Sequence, residues 1–285
     1  MTPTPRIDAH HHFWNPASFH YPWMEGAALD PVRRPFEPGD LQPELIRNHI
    51  DGTVLVQTVS DVAETAAFLR TARDVPFVKG VVGWVDLTSP AVGDQLDALT
   101  DEYGRLLVGI RHQVHDEADA AWLLRADVRR GLQAISDRGL RYDLLIRARE
   151  LPAATETVGA FPELGFVLDH IAKPPIASGW DAEWADRIGA LAALPNVTVK
   201  LSGMVTEADW TSWSSETLHP YVERVLELFG PSRAMFGSDW PVCLLAADGY
   251  GSVLDALTDN LRLLSPTERE AVLGGTAASF YRLDA

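Results

Sequence analysis

Residues 53–84 read TVLVQTVSDVAETAAFLRTARDVPFVKGVVGW. Apolar and β-branched residues dominate the runs at 53–57 and 78–84, which predicts two strands, and the amphipathic stretch at 63–73 predicts a helix between them. A helical crossover of this kind is the connection that two parallel strands require. The segment therefore predicts a strand–helix–strand unit within a parallel sheet.

The same alternation extends along the 285 residues of the chain. Eight β-rich runs occur, at Arg6–His10, Thr53–Gln57, Val78–Trp84, Leu107–Arg111, Tyr142–Ile146, Gly165–Asp169, Val197–Leu201 and Ala234–Gly237. Helical stretches lie between them, for example at Ala63–Arg73, Val92–Tyr103, Val128–Arg138, Ala182–Leu194 and Tyr221–Phe229. This pattern favours an α/β fold closed into a (β/α)8 TIM barrel over an open doubly wound sheet, and no GxGxxG motif follows the first strand. Because no linker or internal repeat divides the chain, we expect residues 1–285 to form a single domain.

Two segments outside this alternation carry their own signals. Prolines interrupt the stretch from Phe13 to Gly39 repeatedly, so we expect a long ordered loop there instead of a helix. A loop of that length in a compact domain usually has a function. Near the end of the sequence, Ser265 and Glu268 have the spacing of a capping box, which predicts the start of a last helix.

The charge balance excludes several classes of partner. The chain has 24 Lys and Arg residues against 40 Asp and Glu residues, which gives a formal net charge of −16. Such a charge repels nucleic-acid backbones and anionic membrane surfaces, so we expect neither as a partner. The single cysteine, Cys243, excludes an intramolecular disulfide, and the first residues contain no apolar stretch typical of a signal peptide. We therefore expect a cytoplasmic protein, and the sequence does not indicate its oligomeric state.

Polar residues cluster at the predicted carboxyl ends of the strands, where TIM barrels carry their chemistry. His10 and His12 are two apart on the first strand, so their side chains project to the same face. His170 and Asp239 end two later β-rich runs, so three imidazoles and a carboxylate converge on one barrel mouth and are candidate metal ligands. The alternatives are a hydrogen-bonded structural role for His170 and a helix-capping role for Asp239.

Arg111 and His112 end the apolar run LLVGIRH. A guanidinium at that depth requires an anionic or carbonyl partner, which makes both residues candidates for catalysis or substrate binding. The alternative is a salt bridge from Arg111 to a neighbour such as Asp86 or Glu207.

Further polar and aromatic residues at strand ends and in the mouth loops are candidate substrate contacts: Gln57, Trp84, Lys173, Lys200 and Trp240, with Trp14 and Trp23 nearby. Tryptophan rings stack on the C–H faces of small rings, but they also pack in cores. Lysines at strand ends also extend to water. His49, His115 and His219 have no such placement, and we expect them to be surface or loop residues.

At these positions the sequence resembles the amidohydrolase superfamily, and within it the TIM-barrel hydrolases that include L-fuconolactonases and L-rhamnonolactonases. The resemblance covers nearly the whole chain. It is carried by RIDAHHHFW at 6–14, VVGWVDL at 81–87, GIRHQVHDE at 109–117, LDHIAKP at 168–174, VKLSGMVTEADW at 199–210 and MFGSDWPVC at 235–243. The first and last of these motifs mark the superfamily, and the middle four narrow it to the sugar-lactonase branch.

The resemblance implies that His10, His12, His170 and Asp239 form the catalytic centre. Many superfamily members hold two metal ions on a modified lysine and two further histidines. Here the fourth strand ends in Arg111 and His112, and His170 is the only strand histidine that follows it. We therefore expect one divalent ion, with zinc as the first choice and catalysis without metal as the alternative. In this scheme Asp239 accepts the proton of the attacking water, and Arg111 and His112 hold the carbonyl oxygen as its charge develops.

The implied activity is hydrolysis of a small sugar aldonolactone of the L-fucono or L-rhamnono type. Gln57, Trp84, Lys173, Lys200 and Trp240 are then expected to bind the hydroxylated ring. Two alternatives use the same residues: another reaction of the superfamily, such as decarboxylation or amide hydrolysis, and a non-catalytic sugar-acid binding barrel.

Overall fold

A computed structural model describes residues 4–284 as an eight-stranded parallel sheet with strands in sequential order. The strands are β1 (Ile7–His11), β2 (Gly52–Val56), β3 (Val78–Gly83), β4 (Leu107–His112), β5 (Arg141–Leu144), β6 (Phe166–Leu168), β7 (Val197–Leu201) and β8 (Ala234–Phe236). The sheet closes next to β1, because the amide of His12 donates to the carbonyl of Trp240 and the amide of Asp239 donates to the carbonyl of His10. The predicted TIM barrel is confirmed.

Helices cover the outside of the barrel. They are α1 (Pro38–Arg47), α2 (Val62–Asp74), α3 (Val92–Tyr103), α4 (Ala126–Asp137), α5 (Leu151–Ala160), α6 (Ala182–Ala192), α7 (Met204–Glu207), α8 (Ser215–Phe229), α9 (Tyr250–Asn260), α10 (Pro266–Glu270) and α11 (Thr276–Tyr281). Their apolar faces and the outer faces of the strands form one large core. In the described part of the chain, no helix is long and apolar enough to cross a membrane.

Two predicted element boundaries differ from the structure in an instructive way. The helix predicted at 221–229 begins at Ser215, because the hydroxyl of Ser214 accepts a hydrogen bond from the amide of Thr217 and starts it earlier. The strand predicted to run through Asp169 ends at Leu168. The backbone leaves the extended conformation there, and this departure places a site residue.

The segment from Phe13 to Gly39 is ordered, as predicted. It contains two short 3-10 helices, Pro22–Met24 and Ala27–Val32. The indole N–H of Trp14 holds it together by donating to the carbonyls of Val32 and Arg34. At the other end of the chain the predicted capping box is confirmed, since Ser265 and Glu268 exchange hydrogen bonds at the start of α10.

Candidate active site

Four side chains meet at the carboxyl ends of β1, β6 and β8. Oδ1 of Asp239 lies 3.3 Å from Nε2 of His12 and 3.9 Å from Nε2 of His10. Nε2 of His170 also lies 3.9 Å from the same oxygen. All four side chains are buried. The structure thus brings together the four residues that the sequence analysis proposed as metal ligands.

Two of these histidines come from the end of β1: His10 lies in the strand and His12 follows its last residue. His10 and His12 both face Asp239, as the two-residue period of a strand predicts, although the register of β1 against β2 shifts between Asp8 and His11. His11 faces elsewhere, and its Nε2 lies 2.8 Å from the hydroxyl of Thr53 on β2. Alternation along one strand therefore separates the two site histidines from a structural one.

β6 supplies His170 in a different way. After the strand, His170, Ile171, Ala172 and Lys173 all have positive φ angles, between 48° and 61°. A left-handed turn of four non-glycine residues is unfavourable, by roughly 1–2 kcal/mol per residue. The surrounding structure holds it, since the indole N–H of Trp184 on α6 donates to the carbonyl of Ile171. The turn presents both His170 and Lys173 to the barrel mouth.

A glycine opposite this turn makes room for the histidine. Gly203, after β7, has a φ of +62°, and a Cβ atom there would lie 2.5 Å from Nδ1 of His170. Both the positive φ and the close approach exclude a larger residue at this position. Ser202, next to it, places its hydroxyl 2.9 Å from Nδ1 of His170 and so fixes the ring.

The charge states follow from burial. Burial lowers the pKa of His170 to about 3, and it also lowers the pKa of His10 and of His12, so all three imidazoles are neutral. Burial by itself raises the pKa of Asp239, but its polar and charged neighbours, the Lys173 ammonium among them, bring that pKa below its usual range. Asp239 is therefore a carboxylate surrounded by neutral rings.

The orientation of His12 fits a bound cation. Its Nδ1 lies 2.8 Å from the carbonyl oxygen of Val56, so the ring proton is on Nδ1 and the lone pair of Nε2 faces Asp239. Two acceptors 3.3 Å apart require a proton or a cation between them. Tetrahedral zinc with bonds of about 2.0–2.1 Å separates its ligand atoms by about 3.4 Å, close to the spacing of these atoms. The ligand atoms of His10, His170 and Asp239 likewise lie within 4.8 Å of one another.

Arg111 lies directly beside these ligands. Its Nη1 is 3.1 Å from Oδ2 of Asp169 and 3.0 Å from Nε2 of His10. Its Nε donates to Oε1 of Gln57 at 2.8 Å, and its Nη2 donates to the backbone carbonyl of Gln57. The expected anionic partner exists, but it is Asp169, and the alternative partners Asp86 and Glu207 are not used.

Two residues predicted to bind substrate lie beneath the site instead. Gln57 is fully buried and holds Arg111. Lys200 is also fully buried, with its Nζ 2.5 Å from Asp143, 3.0 Å from Asp169 and 3.2 Å from Nδ1 of His10. Neither lines the mouth cavity, so direct substrate contact by either residue is not compatible with this placement. The two cations Arg111 and Lys200 balance two buried carboxylates, which is what burial of such charges requires.

Three other candidates are not among the residues that line the mouth cavity. The ring of His112 stacks on Trp122 with centroids 4.2 Å apart, and its Nε2 lies 2.8 Å from a carboxylate oxygen of Glu117. Trp84 donates its indole N–H to Nδ1 of His112 at 3.0 Å. Trp240 is buried in aromatic packing. Because none of the three lines the mouth cavity, this placement does not support the predicted catalytic role of His112 or the predicted substrate contacts of Trp84 and Trp240.

The centre opens into a cavity of about 370 Å³ at the barrel mouth. It is lined by His12, Trp23, Thr58, Arg111, Gln113, His115, Asp116, Leu145, Arg147, His170, Lys173, Asp239 and Val242. Lys173 therefore stays a candidate substrate contact, with its Nζ 2.5 Å from Glu207. His115 lies in the loop after β4, within the surface-or-loop expectation, but it also lines this cavity. The cavity residues Arg147 and Asp116 were not predicted. The signal for them was the position of QVHD directly after β4 and of Arg147 just after β5.

A model of the family described as amidohydrolase matches residues 7–283. The chain belongs to the amidohydrolase family. The resemblance predicted from the sequence motifs is thereby confirmed.

Similar proteins cover almost the full chain. An L-fucono-1,5-lactonase of Burkholderia ambifaria is 41% identical, over 98% of this chain and 96% of that protein. An L-fucono-1,5-lactonase of Burkholderia multivorans is 38% identical, over the same shares. A crystal structure of an amidohydrolase from Burkholderia multivorans with bound zinc superposes with a TM-score of 0.92 at 38% identity, covering 98% of this chain and all of that chain.

Proposed function

We propose that this amidohydrolase hydrolyses a sugar aldonolactone to the open-chain sugar acid, with L-fucono-1,5-lactone as its first candidate substrate. The observation that carries the proposal is the Asp239 carboxylate surrounded by neutral imidazoles at the bottom of a polar cavity. The names of the two relatives from Burkholderia support the choice of sugar. An L-rhamnonolactone is the second candidate, supported by a 30% identical L-rhamnono-gamma-lactonase of Scheffersomyces stipitis that matches 48% of this chain.

His10, His12, His170 and Asp239 would hold one divalent ion, and zinc is the first candidate because the ligands are imidazoles and a carboxylate. A bound zinc ion supplies the electrostatic help that lowers the pKa of a water molecule towards neutrality. Nη1 of Arg111 contacts Nε2 of His10, which is one of the candidate ligand atoms, so this contact competes with metal binding by His10. The alternative, catalysis without metal, is tested by the metal measurements given in the Discussion.

Asp239 performs the proton transfers in the proposed reaction. As an ionised carboxylate it takes a proton from the attacking water while the water oxygen bonds to the lactone carbonyl carbon. The bond from that carbon to the ring oxygen then breaks, and Asp239 returns the proton to the ring oxygen, which becomes a hydroxyl. The new carboxylic acid releases one proton to solvent.

Two cations face the carbonyl oxygen as it gains charge. Arg111 lines the cavity and uses four of its five N–H groups on Gln57, Asp169 and His10, which leaves one for the substrate. Lys173 lines the same cavity, with its ammonium placed by Glu207. Preorganised donors of this kind stabilise a developing oxyanion better than water does.

The proposal is tested by proton release from a panel of compounds at constant protein concentration. The panel contains L-fucono-1,5-lactone, L-rhamnono-γ-lactone, unsubstituted δ-valerolactone and an aromatic carboxylic acid. We expect kcat/KM for a hydroxylated lactone to exceed that for δ-valerolactone by at least about a hundredfold, since unpaired polar groups in the site penalise the bare ring. Similar rates for all lactones would contradict the sugar assignment, and consumption of the aromatic acid alone would favour the decarboxylase alternative.

A further inference from the structure

The mouth cavity has a second polar wall that the proposed reaction does not use. Loops after β4 and β5 contribute Gln113, His115, Asp116 and Arg147 to it. In a closed barrel with strands in sequential order, β4 and β5 lie across the mouth from β8 and β1. The second wall therefore faces the part of a bound ring that is remote from Asp239.

His115 has an unpartnered ring nitrogen on this wall. Its Nε2 lies 3.2 Å from Oδ1 of Asp116, and because a carboxylate only accepts, Nε2 carries a proton. Nδ1 is buried without a hydrogen-bond partner among residues 4–284. Buried polar atoms nearly always have partners, so an unpartnered one in a residue that lines a cavity is a candidate contact for a ligand hydroxyl.

Arg147 presents the complementary donors. Its side chain is exposed and lines the cavity, where its charge helps to lower the pKa of Asp116 after the hydrogen bond from His115, and its backbone amide donates to a carboxylate oxygen of Glu150 at 2.9 Å. The two residues stay in register because the amide of His115 donates to the carbonyl of Leu145, two positions before Arg147. A hydroxyl group is both a donor and an acceptor, so it matches an imidazole nitrogen and a guanidinium N–H that line the same cavity.

We infer that His115 and Arg147 form a hydroxyl-recognition pair that binds the ring hydroxyls remote from the lactone carbonyl and sets the preference for hydroxylated lactones. This inference rests on the proposed function. Nδ1 of His115 accepts a hydrogen bond from one hydroxyl, and Arg147 donates one to the same or the adjacent hydroxyl. The pair contributes to specificity and takes no part in proton transfer at Asp239.

A cycle of variants and substrates tests the pair. His115→Phe keeps a ring of similar size but removes the acceptor, and Arg147→Met keeps the stem but removes the donors. For each variant, kcat/KM is measured on L-fucono-1,5-lactone and on δ-valerolactone. We expect each change to lower the first value by about tenfold or more and to leave the second within about twofold, because the bare ring makes no such hydrogen bond.

Matched controls lie on the outer surface. His219→Phe removes an exposed histidine that contacts Asn260, and Arg129→Met removes an arginine that pairs with Glu156. Each control variant is expected to keep the wild-type kcat/KM on both lactones. Thermal unfolding of each variant checks that the fold is kept.

The outcomes separate the pair from the reaction itself. Equal losses on both lactones, or no loss on either, would overturn the recognition pair while leaving lactone hydrolysis in place. If the wild-type protein hydrolyses no lactone, the proposed function fails, and calorimetric binding of L-fuconate against a deoxygenated hydroxy acid then tests the pair without turnover. Binding that is lost in His115→Phe for the hydroxylated acid alone supports the pair, and equal binding by wild type and variant contradicts it.

Discussion

β1 and β6 both place histidines beside the carboxylate of Asp239, but the backbone conformation differs between the two. At the end of the first strand, His10 and, directly after its last residue, His12 both face Asp239. The sixth ends at Leu168, and a left-handed turn with four positive φ angles then places His170. The backbone at His10 has an ordinary strand conformation. The backbone at His170 has an unfavourable conformation that neighbouring residues must stabilise. The position of a site histidine can therefore depend either on the local strand pattern or on tertiary contacts.

The largest effect is expected on metal binding. If His12 and His170 are both zinc ligands, His12→Ala and His170→Ala will each weaken zinc binding by at least about a hundredfold, since one of four ligands is lost. Elemental analysis after dialysis against a zinc buffer measures the bound metal, and wild type is expected to hold about one zinc ion per chain. His11→Gln is the matched control, because His11 faces Thr53 and is expected to leave the zinc content unchanged.

Two results would contradict this prediction. Equal zinc content in all four proteins would remove the histidines from the metal site. If wild type holds no zinc and keeps its rate in chelator, the enzyme works without metal. His10 then stays hydrogen-bonded to Arg111, and Asp239 alone activates the water.

The sequence predicted the parts of the site that depend on local periodicity. The eight strands and the shared face of His10 and His12 follow from patterns readable within a few residues. The same period of two also bears on the predicted role of His112. Adjacent strand residues point to opposite sides, so Arg111 at the centre places His112 on the outside, against Trp122.

Other features depended on residues far apart in sequence. Nothing in LDHIAKP indicates a left-handed turn, because glycine, the usual signal for positive φ, is absent from it. The burial of Lys200 depends on Asp143, on β5, and on Asp169, directly after β6. A single sequence does not show that these carboxylates neutralise the ammonium below the site.

An intermediate effect is expected from filling the space beside the turn. Gly203→Ala adds a Cβ atom 2.5 Å from Nδ1 of His170 at a positive φ, so the ring must move away from Asp239. We expect kcat to fall by about tenfold or more, since small misplacement of site groups slows catalysis strongly. Gly189→Ala, on α6, is the control, because its added Cβ meets only ordinary van der Waals contacts with Leu228 and Arg224 of α8. Full activity of Gly203→Ala would show that the position of His170 does not matter.

The smallest effect concerns the strain in the turn. Ala172→Gly relieves an alanine at φ +61°, whereas Ala154→Gly introduces glycine into the interior of α5, and both alanines are fully buried. We expect Ala172→Gly to retain about 2 kcal/mol more unfolding free energy than Ala154→Gly, because glycine suits the first backbone and is unfavourable in the second. Urea unfolding measures both values. Equal losses would mean that the turn carries no strain.

The central claim is that Asp239 moves the protons of lactone hydrolysis. Its most direct test compares wild type with Asp239→Asn in proton release from L-fucono-1,5-lactone, with the melting temperature of both proteins measured in the same buffer. We predict rapid hydrolysis by wild type and a loss of at least about a hundredfold in kcat for the variant, with the fold retained. A variant that folds and hydrolyses the lactone at nearly the wild-type rate would contradict the claim.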